Sequence, residues 1–130
     1  SHLTARYKSK PQIRFVGAIY DYEELSGLRK HCALYFHGHS VGGTTPSLLE
    51  AMACEALVVA HDNPFNRGVL GGDARYFSSA RDLAAIIQET VSSVQADESR
   101  SNNLSKVRQH YDWDRIAVEH ERLFRALVGA

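Results

Sequence analysis

His37-Gly38-His39-Ser40-Val41-Gly42-Gly43-Thr44-Thr45 joins an apolar run to a segment headed by Pro46. Gly42 and Gly43 permit close approach of a ligand and backbone angles closed to other residues. Their amides, with those of Thr44 and Thr45, can point at an anion. A helix opening at Pro46 adds the positive end of its dipole. A phosphate is the natural guest; a plain glycine-bearing turn is the alternative, since strand–glycine loop–helix units are common. Glu50 falls one turn further on, between Leu49 and Ala51. A carboxylate there is costly to bury unless paired. Either it accepts hydrogen bonds from neighbouring hydroxyls, such as those of a ribose, or it lies solvated on the outer face of the helix. His37 and His39 form a His-x-His pair whose rings would point the same way in a strand. No Cys or Asp stands at ligand spacing, so no metal is expected. The sequence has no GxSxG elbow, Walker loop or GxGxxG fingerprint, which argues against hydrolase, NTPase and dehydrogenase readings.

Short elements must hold these residues. Residues 1–12 are polar and basic and read as a lead-in, linker or tag remnant, with the domain proper over 13–130. Ile13, Phe15 and Val16 predict a strand ending at Gly17. Asp21 is placed to cap a helix over Tyr22–His31, with Leu25 and Leu28 on one face. Ala33 to Phe36 and Leu57 to Ala60 are continuous apolar runs, as in strands buried on both faces. Thr45 and Pro46 predict the cap and first turn of a helix with Leu48, Leu49, Met52 and Ala53 on its apolar stripe. His61–Gly72 reads as a loop with a helical turn near Arg67–Leu70. Ala74 to Phe77 predicts a further strand. Ser78 or Ser79 starts a helix containing Leu83, Ile86 and Ile87. Residues 92–103 are polar and read as the end of that helix and the start of another. A last helix spans 114–128, with Ile116, Leu123, Phe124 and Leu127 recurring at helical spacing and Trp113 as its packing anchor. Strands alternating with helices imply an α/β, Rossmann-like parallel sheet with helices on both faces. About four strands are expected, few for this architecture: either the sheet is small or its first strands lie outside this chain.

At 130 residues, with 44% hydrophobic and 23% charged, the composition is that of an ordinary globular domain. Fifteen Lys and Arg balance fifteen Asp and Glu, which argues against a nucleic-acid binder. Cys32 and Cys54 lie in apolar stretches and read as reduced core residues of a cytoplasmic protein. No apolar run approaches a membrane span.

The segment SVGGTTPSLLEAMAC, Ser40 to Cys54, resembles the donor-site motif of glycosyltransferase family four, enzymes of the two-Rossmann-domain GT-B architecture. FVGAIYDYEELSGLRKHCALYF upstream, VVAHDNPFNRGVL and ARYFSSARDLAAII downstream, and HYDWDRIAVEHERLFRAL at the end are similar to other family segments in the same order. The HSVGGT-type loop is similar to that of bacterial surface-polysaccharide transferases, rhamnosyltransferase-like proteins among them. The resemblance implies one half of a GT-B fold: the donor-binding domain of a retaining glycosyltransferase, expected to be inactive alone and completed by an acceptor-binding domain before residue 1. The donor is a nucleoside-diphosphate sugar, bound without metal or other cofactor. The full enzyme would be cytoplasmic or peripheral to the inner membrane.

The resemblance also implies roles. Glu50 binds the ribose; Gly42, Gly43, Thr44 and Thr45 face the diphosphate and sugar; His39 and Ser40 reach the sugar. It assigns no certain catalytic residue within the chain. The family's first glutamate falls on Gly42 here, and its proline is displaced by one residue. The usual glycine after Cys54 is Glu55, which costs on the order of 1 kcal/mol if that helix end is left-handed. The glutamate often found after Asn66-Arg67 is Gly68. Arg67 reads as a solvated arginine, not a diphosphate ligand. Alternatives on the same architecture are a nucleotide-sugar epimerase, a phosphorylase, or a non-catalytic nucleotide-binding module; an epimerase needs carboxylates that the SVGGT loop does not offer.

Overall fold

The computed structural model describes residues 2–89 and 93–129. Three strands, β1 (Tyr35–His37), β2 (Val58–His61) and β3 (Arg75–Phe77), form a parallel sheet in the order β1-β2-β3. Phe36 pairs with Val59, and Ala60 with Tyr76. Seven helices accompany them among the described residues: α1 (His2–Tyr7), α2 (Tyr22–His31), α3 (Pro46–Ala53), α4 (Pro64–Leu70), α5 (Ala80–Gln88), α6 (Ser93–His110) and α7 (Trp113–Val128). Alternate residues of a strand face opposite sides. Val58, Val59 and Ala60 are all buried, so both faces of β2 are covered, as the α/β reading requires. The core joins Leu48 and Met52 of α3 to Val58 and Ala60 of β2 and Val69 and Leu70 of α4.

Local chemistry sets the helix boundaries. Asp21 Oδ1 accepts from the Glu24 amide at 2.8 Å and starts α2 where the sequence places it. Ser79 and Asp82 form a reciprocal capping box at α5. α3 ends in a Schellman turn: the Ala56 amide donates to the Ala51 carbonyl and the Glu55 amide to that of Met52, both at 3.0 Å. Glu55 sits at φ 58°, the left-handed position where glycine is preferred.

Several expectations are corrected. Residues 13–16 pair with no strand; Ile13, Phe15 and Val16 are exposed, and without a neighbouring ladder an apolar run is not a strand. Among the described residues the sheet thus has three strands, not four. β1 is an edge strand, so Phe36 is 45% exposed instead of buried. Residues 2–7 within the lead-in are helical, with none buried. On α2 Leu28 is exposed, and the buried residue is Arg29. The turn near Arg67 is the longer helix α4, started by Pro64 after the capping Asn63. Cys32 and Cys54 are free thiols but only partly buried. Trp113 is not a packing anchor among the described residues: it is 80% exposed at the start of α7, and Leu123, Phe124 and Leu127 are exposed too. Of the polar stretch 92–103, residue 92 lies outside the described residues and α6 begins at Ser93.

α6 is a polar helix that packs against α3 and is tied down by hydrogen bonds. Arg100 Nη1 donates to the Glu55 carbonyl at 2.6 Å. Asn103, buried, donates to the Asp73 carbonyl at 2.7 Å. Lys106 Nζ donates to Asp73 Oδ2 at 2.5 Å and to the Leu70 carbonyl.

Candidate functional site

β1 and β2 are parallel, so their carboxyl ends, His37 and His61, share one edge of the sheet. Ligands of open parallel sheets bind beyond that edge. His37 is buried at the end of β1, and its ring stacks on that of His39 at 4.6 Å. Its Nε2 lies 3.3 Å from Oγ1 of Thr45 across the intervening loop. Burial first, and the charge of His39 second, hold the His37 pKa below the usual histidine value. Thr45 is the residue that caps α3, but its side chain makes no capping hydrogen bond, because the hydroxyl is turned to His37. Its carbonyl accepts from the Leu48 amide at 3.0 Å.

Residues 38–44 are exposed. Gly42 lies at φ 121°, a conformation reserved for glycine; Gly43 does not need such freedom. A Cβ at either would meet nothing within 4 Å, so the space above both is open. Among the described residues nothing accepts a hydrogen bond from the backbone N–H groups of Gly42, Gly43, Thr44 or Thr45. These donors immediately precede α3, whose amino end carries the positive end of the helix dipole. Ser40 is exposed beside them.

A second loop fixes the first. Asn63 caps α4, its Oδ1 accepting from the Asn66 amide at 2.9 Å. Nδ2 of Asn63 and Nδ2 of Asn66 both donate to the His39 carbonyl, at 3.0 and 3.2 Å. The buried Asn66 also donates to the His61 carbonyl at 2.8 Å. It therefore ties the end of β2 to the loop that follows β1. Sequence reasoning passed over both asparagines; the cue was an Asn immediately before a Pro, with a second Asn at the third helical position. Arg67 is bidentate to Asp62, at 2.5 and 2.8 Å, and its guanidinium lies 4.3 Å from the centre of the Tyr76 ring. It is half-exposed but committed to these partners, not merely solvated.

Glu50 is neither simply solvated nor buried. Its Oε2 lies 2.7 Å from Nη2 of Arg29, with the Glu50 side chain 43% exposed and that of Arg29 10% exposed. Arg29 was also missed from sequence. Its cue is its place four residues after Leu25, on the face of α2 that turns inward. An open depression of about 360 Å³ lined by Gly68, Val69, Gly71, Lys106, His110 and Tyr111 shares no residue with the loop. Among the described residues no three His, Cys, Asp or Glu side chains gather as a metal would require.

Set against known families, residues 1–110 match the family model described as glycosyl transferases group 1. Searches of curated proteins and of solved structures found no match. No described helix is long and apolar enough to cross a membrane.

Proposed function

The chain belongs to the group 1 glycosyl transferases, and from that membership we propose that it is the donor-binding domain of a retaining enzyme of glycosyltransferase family four, similar to the rhamnosyltransferase-like members. The observation that carries this reading is the row of unengaged N–H groups from Gly42 to Thr45 at the start of α3, with the half-exposed Glu50 one turn deeper. The donor is a nucleoside-diphosphate sugar. Its diphosphate lies against the four amides, which stabilise the negative charge that grows as it departs. Glu50 holds the sugar of the nucleoside, and His39 and Ser40 stand at the entry to the loop. With Gly42 in place of the family's first glutamate, the transferred sugar is held by amides and hydroxyls. Donor binding needs no metal. A second Rossmann domain holds the glycan or lipid-linked acceptor, and transfer takes place in the cleft between the two.

Calorimetric titration with UDP, GDP and dTDP tests the reading. One of the three should bind saturably, and Glu50→Gln should weaken it. Failure of all three to bind at millimolar concentration would overturn the proposal.

A further inference from the structure

We infer that Arg29 is a positioning residue for Glu50: it fixes one carboxylate oxygen so that the other is presented to the hydroxyls of the nucleoside's sugar. The inference rests on the role proposed for Glu50 above. Arg29 comes from α2 and Glu50 from α3, two helices that pack together. Their ion pair, 2.7 Å between Nη2 and Oε2, is asymmetric in burial: the guanidinium side is 10% exposed and the carboxylate side 43%. Taking a guanidinium out of water is unfavourable, and here the compensation is incomplete, since Nη1 is buried with no hydrogen-bond partner. An apolar residue of similar volume would hold the two helices together without that penalty. What the arginine adds is order at the exposed partner. An unpaired glutamate on a helix surface samples several rotamers, which a ligand would have to freeze. Arg29 freezes them beforehand. No hydrogen bond or ion pair engages Glu50 Oε1 among the described residues, and the Glu50 side chain is partly exposed.

The test is calorimetry on the 130-residue chain with UDP, GDP and dTDP, and with the form of the tightest binder that lacks the sugar hydroxyls. Arg29→Met, Arg29→Lys, Glu50→Gln and the Arg29→Met/Glu50→Gln double variant are compared. Arg29→Met should weaken the hydroxyl-bearing nucleotide roughly tenfold and leave the deoxygenated one unchanged. Arg29→Lys should recover part of the loss, and the double variant should bind no more weakly than Glu50→Gln alone. If Arg29→Met does not fold, Arg29→Lys carries the comparison, with a smaller loss confined to the hydroxyl-bearing form. Equal losses for both nucleotide forms would mean a merely structural role and overturn the inference. A loss with Glu50→Gln but none with either Arg29 variant would overturn it while the role of Glu50 stands. No loss with Glu50→Gln would remove that role, and this inference with it.

Discussion

Oγ1 of Thr45 lies 3.3 Å from Nε2 of His37, so the end of β1 and the cap of α3 meet beneath the glycine loop. The contact belongs to a neutral imidazole, because burial and then His39 keep the His37 pKa low. Between that lowered value and about 6.5 the unfolded chain binds more protons than the folded one. Stability is therefore complete above that window and lost as pH falls through it. Urea midpoints measured from pH 7.5 to 5 should show this decline, and His37→Gln should flatten it. Parallel slopes for the two proteins would contradict the assignment.

Gly42 and Gly43 should respond differently to alanine. Both sites have room, but only Gly42 has a positive φ. Gly42→Ala should cost about 1–2 kcal/mol or distort the loop. Gly43→Ala should change stability by less than about 0.5 kcal/mol. Thermal melts of the two variants make the comparison; similar losses would show that the loop does not have this backbone.

Glu55→Gly should stabilise the protein by about 1 kcal/mol, since it removes a left-handed non-glycine residue from the end of α3. The ion pair lost with the side chain is Lys30 Nζ–Glu55 Oε2 at 3.6 Å, exposed on both sides and worth little. A midpoint in urea that stays put or falls would argue against the strain.

Removing the Asn66 amide leaves the His61 carbonyl short of a partner near a buried position. Asn66→Ala should cost about 1–3 kcal/mol. It should also displace the amide NMR resonances of residues 38–45, while Asn102→Ala, on the exposed side of α6, should leave them where they are. Unmoved loop resonances in the Asn66 variant would mean that the loop holds itself.

Asp73 makes an acid-side prediction. Burial acts to raise its carboxyl, but the hydrogen bonds from Lys106 and Asn102 and the charge of Lys106 outweigh it and leave the pKa lowered. Its contribution to stability is present above the ordinary Asp value, about 3.9, and is lost as pH falls through the lower folded value. Asp73→Asn should be less stable at pH 7 and should lose less on acidification, read from melting temperatures between pH 6 and 3.

Elements governed by local chemistry were legible in the sequence. Asp21 announced the start of α2, Ser79 that of α5, and Pro46 that of α3, because a cap or a fixed φ acts within a few residues. The strain at Glu55 was legible for the same reason. What depends on distant partners was not. Residues 13–16 have the composition of a strand but no ladder to join. Trp113 and the stripe of α7 have the pattern of a packed helix without the packing. α6 carries almost no apolar pattern, because Arg100, Asn103 and Lys106 hold it by hydrogen bonds to backbone and to Asp73. At the candidate site the glycine loop and Glu50 could be named from spacing, whereas Arg29 and Asn66 act across gaps of 21 and 27 residues.

The Asn66 latch also bears on the order in which the molecule is made. One amide bonds carbonyls of chain segments that emerge well apart during synthesis, so it can close only after β1 has paired with β2 and α4 has docked. A half-finished chain therefore has the glycines but no fixed loop. Ordering of the loop therefore depends on the pairing of β1 with β2 and the docking of α4, not on the loop's own residues.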